Sequence, residues 1–231
     1  MQTLSKSFVL TAVVVSALPI ATANAAIIAA WGFTTAVPAA TTGVSYVYGA
    51  ANDGESTTGT SLSSSHVVAA TAYSSPSGNG STYSLSSNNW TIGDYYEVRV
   101  SSAGYDGVSI AWDQTRSGTG PSTFELVCSI DGGASWVTLI ASYAVVQAGL
   151  AGTNTTTWNT LTNQPTAFTN VAQAGEAGSN ATLIFRIRSL VTTAAAGTNR
   201  IDNVVVSGNA VPAPGALALL GLAGLIGRRR R

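Results

Sequence analysis

The sequence predicts an all-β protein, a sandwich or a barrel, and three observations carry that expectation. Charged residues make up only 9% of the 231, and the filler is Ser, Thr, Asn and Gly set among Val, Ile, Tyr and Trp. Short runs of β-branched and aromatic residues recur from residue 26 to about residue 208, each bounded by Gly, Ser, Asn or Asp. No long stretch in that span repeats its apolar residues at the helical period. A charge content far below the usual quarter, with that filler, describes a secreted β-rich chain. Its length suits one domain with room for a sizeable core.

In chain order the candidate strands are 27–33 (IIAAWGF), 44–50 (VSYVYGA), 66–73 (HVVAATAY), 95–101 (YYEVRVS) and 107–114 (GVSIAWDQ). They continue with 123–130 (TFELVCSI), 135–142 (SWVTLIAS), 155–162 (TTTWNTLT), 182–189 (TLIFRIRS) and 200–208 (RIDNVVVSG). Alternation is clearest in three of them. Tyr96, Val98 and Val100 oppose Tyr95, Glu97 and Arg99; Val108, Ile110 and Trp112 share a face; Leu183, Phe185 and Ile187 oppose Arg186 and Arg188. A period of two with one charged face predicts a sheet packed on one side and wet on the other. Segments 51–65 and 74–89 read as long polar loops, the second turn-rich and mobile. Segment 170–180 (NVAQAGEAGSN) reads as a single helical turn.

The two ends read as addresses. Residues 1–25 carry one positive charge, an apolar run from Phe8 to Leu18, and small residues at the close. Ala23 and Ala25 take the −3 and −1 places of a secretory signal peptide cut before Ala26, a helical segment left out of the fold. Residues 209–231 hold Val211, Pro212, Ala213 and Pro214, a Gly/Leu/Ala-rich hydrophobic stretch at 215–227, and Arg228, Arg229, Arg230 and Arg231. As a helix the hydrophobic stretch reaches about 20 Å, short of a hydrocarbon core of about 30 Å. The arginines stay cytoplasmic by the positive-inside rule, so the segment pauses a chain in the inner membrane without anchoring it permanently.

That three-part order resembles the PEP-CTERM sorting signal. The resemblance covers the last twenty-one residues and implies processing by an exosortase-type membrane transpeptidase in bacteria that make exopolysaccharide. Pro212 and Pro214 match the two prolines of the motif, and Ala213 stands where glutamate is usual. The implied partners are the exosortase, signal peptidase with the secretion machinery, and extracellular polysaccharide. The implied destination is the cell surface or extracellular matrix, after transient retention in the inner membrane. Residues 26–208 also resemble jelly-roll-like domains of PEP-CTERM cargo, through AAWGF, TFELVCSIDGGASW and TLIFRIRS…GTNRIDNVVVSG, which implies an antiparallel, jelly-roll-like β-sandwich for the body.

Charge and composition exclude several functions for the body. Between the ends lie five arginines against ten acidic residues, a net −5 with no lysine, so nucleic acid finds no electrostatic footprint. One cysteine, Cys128, rules out an internal disulfide, and its place on the apolar face of FELVCSI reads as a buried small hydrophobe. His66 follows three serines, but no nucleophile elbow accompanies it, and it reads as a non-catalytic residue at a strand start. Glu97 and Glu125 are the strand-borne carboxylates that glycoside hydrolysis would need, and alternating charge on a wet face explains them equally.

Ser129, Asp131, Gly133 and Trp136 fit the Asp-box pattern in SIDGGASW, which resembles the repeated motif of sialidases and other glycan-active propellers. A single copy in a chain this short reads as a structural hairpin, with Trp136 plugging it into the core beside Trp31 and Trp112. Asp202 in GTNRIDNVVVSG reads as a structural aspartate paired with Arg186 or Arg188. No cofactor is expected. Calcium is the alternative, on Asp202 and on the loop oxygens of Asp53, Glu55, Asp106 and Asp131, with no EF-hand or repeat behind it. Trp90, Tyr95, Tyr105 and Trp158 are the aromatics expected to be exposed and able to stack on sugar rings. The reading is an exported, non-enzymatic surface or matrix protein, with a carbohydrate-binding module and then a glycan hydrolase as alternatives.

Overall fold

The computed structural model describes residues 25–38, 41–147 and 182–211. The signal-peptide and hydrophobic-tail helices, the strand at 155–162 with Trp158, and the turn at 170–180 all lie outside these residues. Within them the chain is all-β, with two sheets whose paired strands all run antiparallel.

Twelve strands form in order: β1 (Ala26–Trp31), β2 (Thr41–Thr42), β3 (Ser45–Gly49), β4 (Ser61–Ser65), β5 (Ala72–Ser74) and β6 (Leu85–Ser87). They continue as β7 (Tyr95–Val100), β8 (Tyr105–Arg116), β9 (Thr123–Ser129), β10 (Val137–Ala144), β11 (Leu183–Ser189) and β12 (Asn199–Ala210). In the first sheet β8 runs along one edge of β12, while β6 and β1 share its other edge, and β5 and β2 follow β6. The second sheet has the order β10-β9-β11-β7-β4-β3.

The alternating strands behave as their pattern requires. Val108, Ile110 and Trp112 of β8, Tyr96, Val98 and Val100 of β7, and Leu183, Phe185 and Ile187 of β11 are all buried between the sheets. Trp31, Phe33, Phe124, Leu126, Ile201, Val204 and Val206 complete that core. Mid-strand in β12, one extra residue stands between the pairings Asp202 with Asp113 and Val205 with Ala111. Asn203 absorbs it at φ 48°, a bulge that keeps Ile201 and Val204 on the same inner face.

Two polar segments depart from the sequence expectation. Residues 61–65 (SLSSS) form β4, a central strand that pairs with β3 on one side and β7 on the other, although Leu62 is its one apolar residue. Residues 85–87 form β6 against β5 and β12. Both were expected as loop because serine runs carry no apolar alternation. Here the neighbouring strands satisfy the backbone, and Leu62 and Ser64 turn inward. Conversely, only residues 72 and 73 of the run expected at 66–73 are strand, as the first two residues of β5. The remainder of 51–60 folds back over the outer edge of β1, where Ala30 N–H donates to the Asp53 carbonyl at 2.8 Å. Gly54 makes that approach, since a Cβ there would stand 2.6 Å from the Ile28 carbonyl oxygen. An otherwise open strand edge is thereby covered.

Candidate functional site

The outer face of the second sheet gathers the charge. The register sets Arg186 opposite Glu97 on β7, and Arg188 opposite Tyr95 on β7 and Glu125 on β9. Glu97 accepts from Arg99 Nε at 2.5 Å and from Arg186 Nε at 2.7 Å, and Glu125 accepts from Arg188 Nε at 2.7 Å. The Arg186 guanidinium is also stacked between two rings, 4.1 Å from the Tyr95 centroid and 4.2 Å from that of Trp136. Glu97 is buried and the Glu125 side chain is 12% exposed, while the arginine side chains keep 24–39% exposure, so the acids serve as posts that hold the cations at the surface.

This arrangement bears on the hydrolase alternative. Glu97 and Glu125 stand on strands either side of β11 and are staggered along it by two residues. Strand spacing then puts their backbones about 12 Å apart with arginine between them. A glycosidase pair flanks one bond with its carboxyls about 5–9.5 Å apart, and each must exchange protons or attack. These two are spent on guanidinium. The face is also less wet than alternation implies, because Val127 and Ile184 on it are fully covered.

The Asp-box hairpin adjoins that face and has the expected turn chemistry. Asp131 Oδ1 accepts from Ser129 Oγ at 2.7 Å and Ser135 N at 2.9 Å, while Oδ2 accepts from Ser135 Oγ at 2.5 Å. These bonds hold its carboxyl well below the usual range. Gly133 at φ 102° brings the tip down, and Ser129 Oγ accepts its N–H at 2.8 Å. Trp136, however, is no core plug. It is half-buried, stacks on Arg186, and donates Nε1 to the Gly133 carbonyl at 3.2 Å. The hairpin folds over the outside of the sheet, where Trp136 and Ile184 both lie close to Gly133.

Trp90 corrects the sequence reading in the opposite sense. It has no exposed surface, donates Nε1 to the Ser87 carbonyl at 2.9 Å, and packs against His66 at 4.4 Å, Tyr96 at 5.0 Å and Phe124 at 5.4 Å. It cannot contact a glycan. Tyr95 and Tyr105 keep partial exposure, and Tyr105 donates to Glu55 Oε2 at 2.6 Å, which raises its own pKa.

His66 lies beside Trp90 in a polar pocket of the core that the sequence did not reveal. Its Nδ1 is 3.1 Å from Asp94 Oδ2, and its Nε2 is 3.1 Å from both Ser64 Oγ and Ser87 Oγ. Residue types and order match a Ser–His–Asp relay. Yet Ser64 and Ser87 are 0% and 1% exposed and His66 is 4% exposed, so no substrate reaches them. Burial works to raise the Asp94 carboxyl, but hydrogen bonds from His66, Thr91 and Val67 outweigh it and bring it below its ordinary value. Tyr73, whose ring meets His66 edge-on, is pushed up to about 12 by burial and the Asp94 charge. Cys128 is buried as expected, and burial raises its thiol to about 11.

Asp202 does not pair with Arg186 or Arg188, because it belongs to the other sheet. It is fully buried beside Asp113 and accepts from Asn79 N at 2.5 Å, Ser81 Oγ at 2.6 Å and Asn203 N at 2.8 Å. Asp113 Oδ2 accepts from the Asn79 and Asn203 amides at 2.9 and 2.7 Å. These contacts fasten the 74–89 loop, read from sequence as mobile, across β12. Burial and the Asp113 charge hold the Asp202 carboxyl above its ordinary value despite its donors. N–H and O–H donors thus occupy the Asp202 and Asp113 carboxylates, and among the described residues no group of three or more acidic, His or Cys side chains is placed to hold a metal. A polar cleft of about 570 Å³ opens between Arg116, Thr119, Ser122, Thr192 and Thr193. Arg116 is committed there to the Val145, Ser117 and Gly118 carbonyls.

No family model and no curated protein matches the chain. Among solved structures it is similar to the CBM22-1 and GH10 modules of endo-1,4-β-D-xylanase 10B from Clostridium thermocellum, complexed with xylohexaose. Identity is 19% and the TM-score 0.36, over 59% of this chain and 24% of that one.

Proposed function

We propose that this chain is an exported, non-enzymatic surface or matrix protein, handed to an exosortase by its last twenty-one residues. The observation that carries the reading is the order Pro212-Ala213-Pro214, short hydrophobic segment, Arg228–Arg231. A jelly-roll-like body fits that destination, and its chemistry supports the absence of catalysis. The sheet-borne glutamates are paired with arginine, the one histidine is sealed in the core, and Cys128 is buried with a raised thiol. Co-expression with an exosortase from an exopolysaccharide-producing bacterium tests the reading. Intact mass should show loss of the arginine tail from the wild type and its retention when Pro212 and Pro214 are both replaced by alanine. An unchanged tail in the wild type would refute it.

A second reading is favoured by Tyr95, Arg186 and Trp136, which form a rigid aromatic–cation platform on an outer sheet face. The body then binds carbohydrate there, with Trp136 taking the part expected of Trp90. A glycan array comparing wild type with Trp136→Ala tests it. Binding unaffected by Trp136→Ala, or no binding at all, would refute it.

A further inference from the structure

We infer that the Arg99–Arg186–Arg188 face of the second sheet is a binding site for an acidic polysaccharide, one bearing carboxylate or sulfate groups. This rests on the carbohydrate reading above and narrows its ligand class. Three of the five arginines between the two ends of the chain stand on this face, although that region is acidic as a whole. Arg186 and Arg188 are two residues apart on β11, and Arg99 lies on the adjacent β7 opposite Ile184. Strand geometry sets them in a diagonal row of about 14 Å, a line that an extended polymer can follow.

The hydrogen bonds show which atoms remain for a ligand. Glu97 and Glu125 engage the arginines through Nε. Among the described residues, no protein acceptor takes a hydrogen bond from the Nη groups of Arg99, Arg186 or Arg188. A guanidinium anchored at Nε and clamped between two rings has lost its rotamer freedom in advance, so binding an oxyanion costs less entropy. Its planar Nη pair matches a carboxylate or sulfate in a bidentate contact. The other two arginines lack this presentation: Arg116 is spent on backbone carbonyls, and half-buried Arg200 donates Nη1 to the Ser77 carbonyl. Trp136 adds an apolar surface beside the row for the ring of a sugar unit.

Affinity electrophoresis of the full chain in mild detergent tests the site, with polygalacturonate, dextran sulfate, neutral xylan and neutral dextran as probes. Retardation by polygalacturonate or dextran sulfate should exceed that by the neutral polymers and fade as salt rises. The stronger of the two acidic polymers identifies the preferred oxyanion. Arg99→Gln with Arg188→Gln should weaken it roughly tenfold or more, while near-UV circular dichroism stays unchanged. Arg186→Lys keeps the charge and loses the planar fork, so it should weaken binding as well, whereas diffuse attraction would leave it intact. Undiminished binding in Arg186→Lys, or equal retardation by neutral xylan, overturns the inference. Binding to xylan that Trp136→Ala abolishes, with no preference for acidic polymers, overturns the inference and leaves the carbohydrate reading standing. No retardation by any polymer removes both.

Discussion

Replacing Asp94 by alanine tests whether the Ser64–His66–Asp94 cluster is structural. The carboxylate accepts from His66 Nδ1 at 3.1 Å, Val67 N at 2.9 Å, Thr91 N at 2.6 Å and Thr91 Oγ1 at 3.0 Å. Alanine strands those donors in a site where Asp94 is 2% and His66 4% exposed. Stranding a buried hydrogen-bond donor costs about 1–3 kcal/mol, so losing the acceptor of all four costs about 3–5 kcal/mol or more, a large share of the 5–15 kcal/mol that holds a typical domain folded. For a chain of this size the melting midpoint should fall by about 6–20 °C. The acid limb of the curve gives a second readout. The Asp94 pKa lies below its ordinary value of 3.8 in the folded state. Its stabilisation is therefore present above that ordinary value and lost as pH falls through the lower, folded one. The stability difference between wild type and Asp94→Ala should shrink over that window. Asp202, with its pKa shifted up, acts in the opposite direction but is common to both proteins and cancels in the difference. Thermal melts by near-UV circular dichroism from pH 7 down to pH 2.5 measure both effects. A midpoint within about 2 °C of wild type, with a pH-independent difference, would refute the reasoning.

Trp90→Ala should cost about 3–5 kcal/mol by urea unfolding, whereas Trp136→Ala should cost no more than about 2, because it loses a half-buried cation–π contact and one hydrogen bond to the Gly133 carbonyl. Cys128 should resist a thiol reagent in the native protein at pH 8 and react at once in denaturant, as its raised thiol and burial require. Asp202→Ala should free the 77–82 loop from β12, giving early proteolytic cuts there that wild type does not show at the same protease dose. A fluorophosphonate probe should label neither Ser64 nor Ser87 in the folded chain, since both are sealed from solvent.

The architecture was legible wherever one strand face meets the core. Val108, Ile110 and Trp112, or Leu183, Phe185 and Ile187, alternate because burial on one side imposes a period of two. Strand β4 was not legible, because SLSSS has no such period and is made a strand by pairing on both sides. Trp90 misled for a related reason. It follows a polar run, but the strands that bury it are distant in sequence and converge only in the fold. The His66 cluster joins residues 64, 66, 87 and 94, whose meeting depends on β4, β6 and the turn before β7. Local pattern carries no information about that convergence.

On the candidate site, alternation correctly placed Tyr95, Glu97, Arg99, Arg186 and Arg188 on outward positions. What it omitted was register. Pairing Arg186 with Glu97 decides that the glutamates are bound to arginine, and the fold-back of the SIDGGASW hairpin decides that Trp136 caps Arg186 on the outside. Asp202 went astray because neighbours late in the chain were expected to be neighbours in space. In the fold β11 and β12 lie in different sheets.

The most direct test of the central claim is the mass of the carboxyl end of this protein recovered from the surface or culture medium of its own host. The account predicts a mature form that begins at Ala26 and has lost Arg228–Arg231 with the hydrophobic segment before them. A fully exported form that still carries all four arginines would contradict it.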